Sequence, residues 1–265
     1  LRRLNKPYIL TLRGGSLPTF AGRFPRRVSA LLRSAAVVTT PSNYLLEQMQ
    51  PYCKTLQLLP NPIELPSYPF RRRKAPRPKL VWLRAFHAIY NPSLAVEVVS
   101  LLADEFPEVE LIMVGPDKGD GSLQRTQARA DELGVRECVR FTGGVAKREV
   151  GEWLSRGDIF INTTNVDNTP VSVIEAMACG LCVVSTDVGG IPYLLDDGQD
   201  AMLVPPGDVR AMAAAVRRIL TDGELARRLS HNARCKVEPF DWSVILLEWE
   251  ALFNSAITHH ERHSA

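Results

Sequence analysis

From residue 79 onward the chain alternates short apolar runs with amphipathic stretches, and this alternation restricts the fold more than any single motif. Runs at 79–84, 109–114, 138–142, 158–162 and 182–185 read as strands. Helical stretches at 92–105, 122–133, 146–155 and 170–179 separate them, and further helices are expected at about 207–220 and 223–236. Strands apolar at consecutive positions suit a parallel sheet covered on both faces. Repeated strand–helix units of this kind imply a doubly wound α/β domain, whose ligands bind beyond the carboxyl ends of the strands. Those ends are Arg84-Ala-Phe-His87, Gly115-Pro-Asp117, Thr142-Gly-Gly144, Thr163 to Pro170, and Thr186 to Gly190.

The preceding part repeats the pattern in shorter form. Strands are expected at 8–12, 35–40 and 56–59, a basic helix at 24–34, and a helix capped by Ser42-Asn43 through Met49. The stretch 66–78, rich in Pro and containing Arg71-Arg-Arg-Lys74, reads as a solvated linker. A last amphipathic helix is expected over 242–257. The division is therefore 1–65, a linker at 66–78, a regular domain at 79–240, and a C-terminal helix and tail at 241–265.

Composition narrows the class. A net charge of +3 does not by itself point to nucleic acid, and no apolar run reaches the ~18 residues of a membrane span. Five cysteines, an odd count, fit a reducing cytoplasm. Cys179 and Cys182 have C-x-x-C spacing, but without a second pair or nearby histidines they read as two buried thiols. The chain opens at Leu1 in a basic segment leading straight into a strand, which reads as entry into the middle of a domain that lacks N-terminal sequence.

The segment Asp167-Asn-Thr-Pro-Val-Ser-Val-Ile-Glu175 carries the chemistry. Thr169 suits an N-cap and Pro170 a first helical position, so Asp167 lies in the preceding loop and Glu175 in the second turn. A helix N-terminus offers unpaired N–H groups and a positive dipole end to an anion such as a diphosphate. Carboxylates accept hydrogen bonds from the adjacent hydroxyls of a ribose or hexose. Diphosphate plus diols describes a nucleotide sugar. Taken alone, these nine residues also fit an ordinary helix start, where the dipole favours acidic side chains.

The order of motifs resembles the group 1, family 4-like retaining glycosyltransferases of the GT-B fold. Val114-Gly115, Phe141-Thr-Gly-Gly-Val145, the strand from Asp158 to Ile161, Asp167 through Gly180, and Val183 through Pro192 are similar to the family's donor-domain motifs. Pro60-Asn-Pro-Ile-Glu64 resembles the motif closing its first domain, and Phe240-Asp-Trp242 the one before its last helix. The resemblance implies two Rossmann-like doubly wound domains, the first incomplete and the second complete, with a C-terminal helix returning to the first. It implies that Glu175 holds the donor ribose and that Asp167, where the family usually has Glu, faces the transferred sugar. Asn168, Thr169, Pro170 and Val171 would shape the donor loop, and Gly143, Gly144 and Val145 would lie against the base. Arg84 would bind diphosphate, with Gly14 and Gly15 closing over the phosphates. Where the family carries a second phosphate-binding Lys, this sequence has Tyr90-Asn91, and Arg13 stands where many members have His.

The implied activity is sugar transfer, with retention, from a nucleotide diphosphate sugar to an acceptor hydroxyl. It would need no metal or other cofactor and would serve polysaccharide or glycoconjugate synthesis. Expected partners are the donor and a glycan or glycolipid acceptor, not nucleic acid. The expected location is cytoplasmic, with peripheral contact at the inner face of a membrane open through Arg71–Lys74 or Arg23, Arg26 and Arg27. The shortened first domain and the absent Lys motivate an alternative, a non-catalytic nucleotide-sugar-binding module. Trp153, Trp242 and Trp249 read as packing residues, and His259, His260 and His263 as a polar tail.

Overall fold

The computed structural model describes residues 6–264, with side chains to residue 257. It divides into two compact units, Leu1–Ile63 with Pro239–Ala265, and Glu64–Glu238.

In the first unit, β1 (Ile9–Thr11), β2 (Val37–Thr40) and β3 (Leu56–Leu58) form a parallel sheet in that order. Between β1 and β2 lie α1 (Leu17–Arg23) and α2 (Pro25–Arg33), and α3 (Asn43–Met49) joins β2 to β3. Ser42 caps α3, its side chain accepting from the Leu45 amide at 3.1 Å. A small core of Leu12, Ala21, Val28, Leu32, Leu45 and Met49 holds the helices to the sheet. The segment from Pro239 belongs to this unit, where the Trp242 amide donates to the Ile63 carbonyl at the start of α10 (Trp242–Ser264). Helix α1 went unread in the sequence because it buries only Ala21 and so has no apolar stripe.

The second unit is a parallel sheet in the order β6-β5-β4-β7-β8-β9. Its strands are β4 (Lys79–Leu83), β5 (Glu110–Val114), β6 (Val139–Gly143), β7 (Ile159–Asn162), β8 (Cys182–Thr186) and β9 (Ala201–Val204). Strands β7 and β8 are buried at every position; the apolar runs Ile159–Ile161 and Cys182–Val184 predict this for their leading residues, and Asn162, Ser185 and Thr186 are buried polar residues at their ends. The helices are α4 (Pro92–Leu102), α5 (Ser122–Glu132), α6 (Val150–Ser155), α7 (Val171–Ala178), α8 (Val209–Thr221) and α9 (Gly223–Val237). Counted within the unit, the strand order is 3-2-1-4-5-6, so the winding reverses between β4 and β7. The crevice at such a reversal is where these sheets hold ligands. Strand β9 escaped the sequence reading: four apolar residues between Asp200 and Pro205 are too few to separate from a loop by periodicity.

The stretch 66–78 differs from the solvated linker expected of it. Arg71, Arg73 and Arg77 converge on Asp158, itself 1% exposed. Arg73 is equally buried, and its guanidinium also donates to the carbonyls of Gly157 (2.8 Å) and Cys179. Burial works against the Asp158 carboxylate, yet the Arg77 backbone N–H and the Arg71 guanidinium hold it below the usual range. The cations here are structural, which withdraws Arg71 and Arg73 from any membrane-facing role.

Candidate functional site

Arg84 leaves β4 and Asp167 lies in the loop after β7, so the two strands flanking the reversal bring them together as an ion pair. Their side chains are 15% and 13% exposed. The Arg84 guanidinium also lies over the Tyr90 ring, 4.6 Å from its centroid. Burial lowers the guanidinium to about 10, opposed by the nearby Glu175 carboxylate, so it remains a cation at neutral pH. Its Nε is buried without a hydrogen-bonding partner among the described residues. Tyr90 and Asn91, at the positions where the resemblance expects a Lys, therefore serve the site as a platform for Arg84 and as a turn. Asn91 holds a left-handed φ of 45° at the N-terminus of α4.

The residues of the expected donor loop are held by contacts to backbone groups. The Asp167 side chain accepts from the Asn168 amide at 2.9 Å, and the Gly190 amide donates to the Asp167 carbonyl at 3.1 Å. Gly189 and Gly190 allow this approach: a Cβ on either would lie 2.2 Å and 2.0 Å from the carbonyl oxygens of Asp167 and Asn168. The base of the same loop is tied to the β4–α4 loop through Thr163, whose hydroxyl accepts from Trp82 Nε1 at 2.9 Å and donates to the Tyr90 carbonyl at 2.7 Å.

Helix α7 begins one residue later than the sequence predicts, with Pro170 as N-cap and Val171 as first helical residue. Thr169 thus does not cap it. Its Oγ1, and the Oγ of Ser172 in the first turn, are buried with no partner among the described residues. Together with Arg84 Nε, three polar atoms around the α7 N-terminus lack the partners that buried groups ordinarily have.

Glu175, in the second turn of α7, is 3% exposed. Its Oε1 accepts from the Tyr68 hydroxyl at 2.8 Å and from the Lys147 ammonium. Burial and the adjacent carboxylate raise the Tyr68 hydroxyl well above its ordinary pKa, which keeps it a donor. Lys147 follows Gly143, Gly144 and Val145 at the end of β6, so a 71% exposed side chain reaches from the expected base platform to the expected ribose carboxylate. Sequence reasoning missed both partners. Lys147 had a usable signal, two residues beyond the Phe-x-Gly-x-Val match, whereas Tyr68 lies 107 residues from Glu175 and had none. Arg13, Gly14 and Gly15 belong to the first unit, where they follow β1 and the Gly14 carbonyl accepts from the Leu17 amide at 3.0 Å. Among the described residues no group of three His, Cys, Asp or Glu side chains is placed to hold a metal ion.

A parallel sheet wound 3-2-1-4-5-6, with an ion pair of Arg84 and Asp167 beyond its reversal, defines a doubly wound α/β module of the kind found in GT-B proteins. The chain belongs to the glycosyl transferases group 1, whose family model matches residues 69–236. It is similar to the D-inositol 3-phosphate glycosyltransferase of Streptomyces avermitilis, 28% identical over 180 residues, covering 64% of this chain and 38% of that protein. The enzyme of the same name from Corynebacterium jeikeium is 30% identical over 156 residues, covering 57% and 37%. The chain thus spans less than half the length of these relatives. Among solved structures, Anabaena HepE in complex with UDP and glucose superposes with a TM-score of 0.82 at 17% identity, covering 94% of this chain and 72% of that one. Sucrose-phosphate synthase from Thermosynechococcus elongatus gives 0.80 at 22%, covering 95% and 68%. The fold of the chain is that of GT-B glycosyltransferases.

Proposed function

We propose that the second unit binds the nucleotide diphosphate sugar of a glycosyltransferase that retains anomeric configuration and acts in polysaccharide or glycoconjugate synthesis. The observation that carries this reading is the set of buried, unpartnered polar atoms, Arg84 Nε, Thr169 Oγ1 and Ser172 Oγ, around the N-terminus of α7. Donors in that setting suit diphosphate oxygens, with the helix dipole adding to the guanidinium charge. Glu175 then accepts from the ribose hydroxyls, Gly143 to Val145 lie along the base, and Asp167 orients the sugar while fixing Arg84.

In this reading the bond between the anomeric carbon and the diphosphate oxygen breaks as the acceptor oxygen bonds to that carbon from the same face. The acceptor proton passes to the departing phosphate oxygen. Arg84 and the α7 N-terminus stabilise the negative charge that develops, so catalysis is positioning plus electrostatic stabilisation. Charge neutralisation by these groups is the basis for proposing a reaction without a metal. Membership of the glycosyl transferases group 1 supports sugar transfer, and a hexose donor and a glycan or glycolipid acceptor are part of the proposal. A cytoplasmic location with peripheral contact at a membrane belongs to it as well. Among the described residues no helix is long and apolar enough to cross a membrane.

Titration calorimetry with UDP, GDP and ADP, followed by their sugar conjugates, tests the donor site. Saturable binding of one nucleotide, weakened in Arg84→Met, is expected. Absence of binding to all three by the folded chain overturns the reading.

A further inference from the structure

Asp167 and Glu175 each hold one cation, and the two ion pairs differ in kind. Arg84 and Asp167 are both largely buried, and the guanidinium is also stacked on the Tyr90 ring, so that cation is fixed. Lys147 and Glu175 are unequal: the carboxylate side chain is 4% exposed and the lysine 71%. An ion pair open to water on one side contributes little to stability. Folding therefore does not explain why a lysine stands on this carboxylate.

The Tyr68 hydroxyl and the Lys147 ammonium both donate to Oε1 of Glu175, and Oε2 accepts from no donor among the described residues. The ammonium also lies 5.9 Å from the centroid of the Tyr68 ring. One oxygen and one ring face are contacts that a lysine can leave by rotating its four-carbon stem. Ser172, whose buried Oγ has no partner among the described residues, precedes Glu175 by three positions and so shares its face of α7. Side chains on a helix lean towards its N-terminus, which points the Glu175 carboxylate back to that turn. Its field also acts on Arg84, where it opposes the lowering by burial. The Lys147 ammonium thus stands beside the groups read above as diphosphate ligands.

Charge balance supplies the reason for it. A nucleotide sugar brings a negative charge on each phosphate, and neutral ribose hydroxyls leave the charge of Glu175 in place. Arg84, already paired with Asp167, cannot alone balance a diphosphate set between two carboxylates, and like charges in a poorly solvated crevice repel strongly. Lys147 is the other cation in contact with those carboxylates among the described residues.

We propose, on the donor-site reading above, that Lys147 is a second diphosphate-binding residue, which leaves Oε1 of Glu175 for a phosphate oxygen as the donor ribose takes its place on the carboxylate. Lys147 then acts in opposite senses on two kinds of ligand. Towards a nucleoside without phosphates it is a competitor for Glu175. Towards a diphosphate it is a partner. Removing its charge should shift the two affinities in opposite directions, which loss of a purely structural contact would not do.

The test compares the wild-type chain with Lys147→Met. Calorimetry with UDP, GDP and ADP selects the base, and NMR titration then measures the nucleoside carrying the same base. Lys147→Met should weaken the diphosphate on the order of tenfold, the effect of one charge-assisted bond. The nucleoside should bind the variant as well as it binds the wild-type chain, or more tightly. An unchanged urea midpoint, expected for so exposed a side chain, reports that the variant is folded. Unchanged affinity for the diphosphate, or an equal loss for diphosphate and nucleoside, would overturn the role of Lys147 and leave the donor site standing. Failure of all three diphosphates to bind the wild-type chain would overturn the donor-site reading and this proposal with it.

Discussion

Glu175→Gln separates the ligand role of this carboxylate from its structural one. In the folded chain Oε1 accepts from Tyr68 and Lys147. A glutamine keeps a carbonyl oxygen for the buried Tyr68 hydroxyl, so that bond survives. The Lys147 ion pair is lost, but its ammonium stem is 71% exposed and solvent screens it, leaving a cost below ~1 kcal/mol. Stability should therefore change by less than ~1 kcal/mol.

Donor affinity should change far more. Two ribose hydroxyls on a carboxylate make charge-assisted bonds of about 1.5–3 kcal/mol each. Glutamine turns one acceptor oxygen into a donor and leaves the other neutral, a loss of about 2–4 kcal/mol, or roughly 30- to 1000-fold in Kd. Calorimetry with UDP and with its 2′,3′-dideoxy analogue forms a double-mutant cycle. Wild-type chain should lose affinity for the dideoxy analogue by a similar factor, and Glu175→Gln should bind both analogues almost equally. Equal binding of both by the wild-type chain, or UDP affinity in the variant within twofold of normal, would refute the reasoning. Glu175→Ala is the less informative variant because it also strands the Tyr68 hydroxyl, at about 1–3 kcal/mol of stability.

Lys147→Met should tighten binding of the uncharged nucleoside by up to about fivefold, since the ammonium no longer competes for Oε1 of Glu175; weaker binding, measured by saturation-transfer NMR, would mean that Lys147 contacts the nucleoside itself. Arg73→Met should destabilise the chain by about 3–5 kcal/mol in urea unfolding, because Asp158 loses a buried partner and the Gly157 carbonyl its donor, and a change below ~1 kcal/mol would contradict the buried geometry. Burial pushes the Cys179 and Cys182 thiols up to about 12 from an ordinary 9.0, so the folded state keeps protons that the unfolded chain releases. Their contribution to stability is fully present below pH 9 and is lost as pH rises towards 12, by about 1 kcal/mol per pH unit for each thiol. Alkylation of the native chain at pH 8 should accordingly reach exposed Cys235 first and spare Cys179 and Cys182 until the chain unfolds, as peptide mass mapping would record.

What the sequence made legible follows from where each interaction is encoded. The burial of β7 and β8 is written in the apolar runs Ile159–Ile161 and Cys182–Val184, whereas that of Asn162, Ser185 and Thr186 is not. Asp167 and Glu175 share one loop–helix segment, so their relation to the α7 N-terminus is local. The strand alternation placed Arg84 at the ligand edge of the sheet, and its phosphate role was expected from the resemblance to the family. The pairing of Arg84 with Asp167 was not found, because it depends on β4 and β7 being neighbours although β5 and β6 intervene in sequence. The same holds for Tyr68 and Lys147, which meet Glu175 only through tertiary structure.

The basic stretch 71–77 failed for a different reason. Arg and Pro in composition read as solvated chain, and nothing local says otherwise. The signal was one residue elsewhere: Asp158 opens the apolar run of β7, and a carboxylate at the start of a buried strand needs cations that the strand itself does not supply. Three arginines close to the start of β4, the strand next to β7, meet that need. The arrangement anchors the segment entering the second unit beneath β4 and β7, the two strands whose opposite ends carry Arg84 and Asp167. Loosening it should therefore disturb the donor crevice as well as stability. On that argument the Arg73→Met variant should lose nucleotide affinity even at temperatures where it is fully folded.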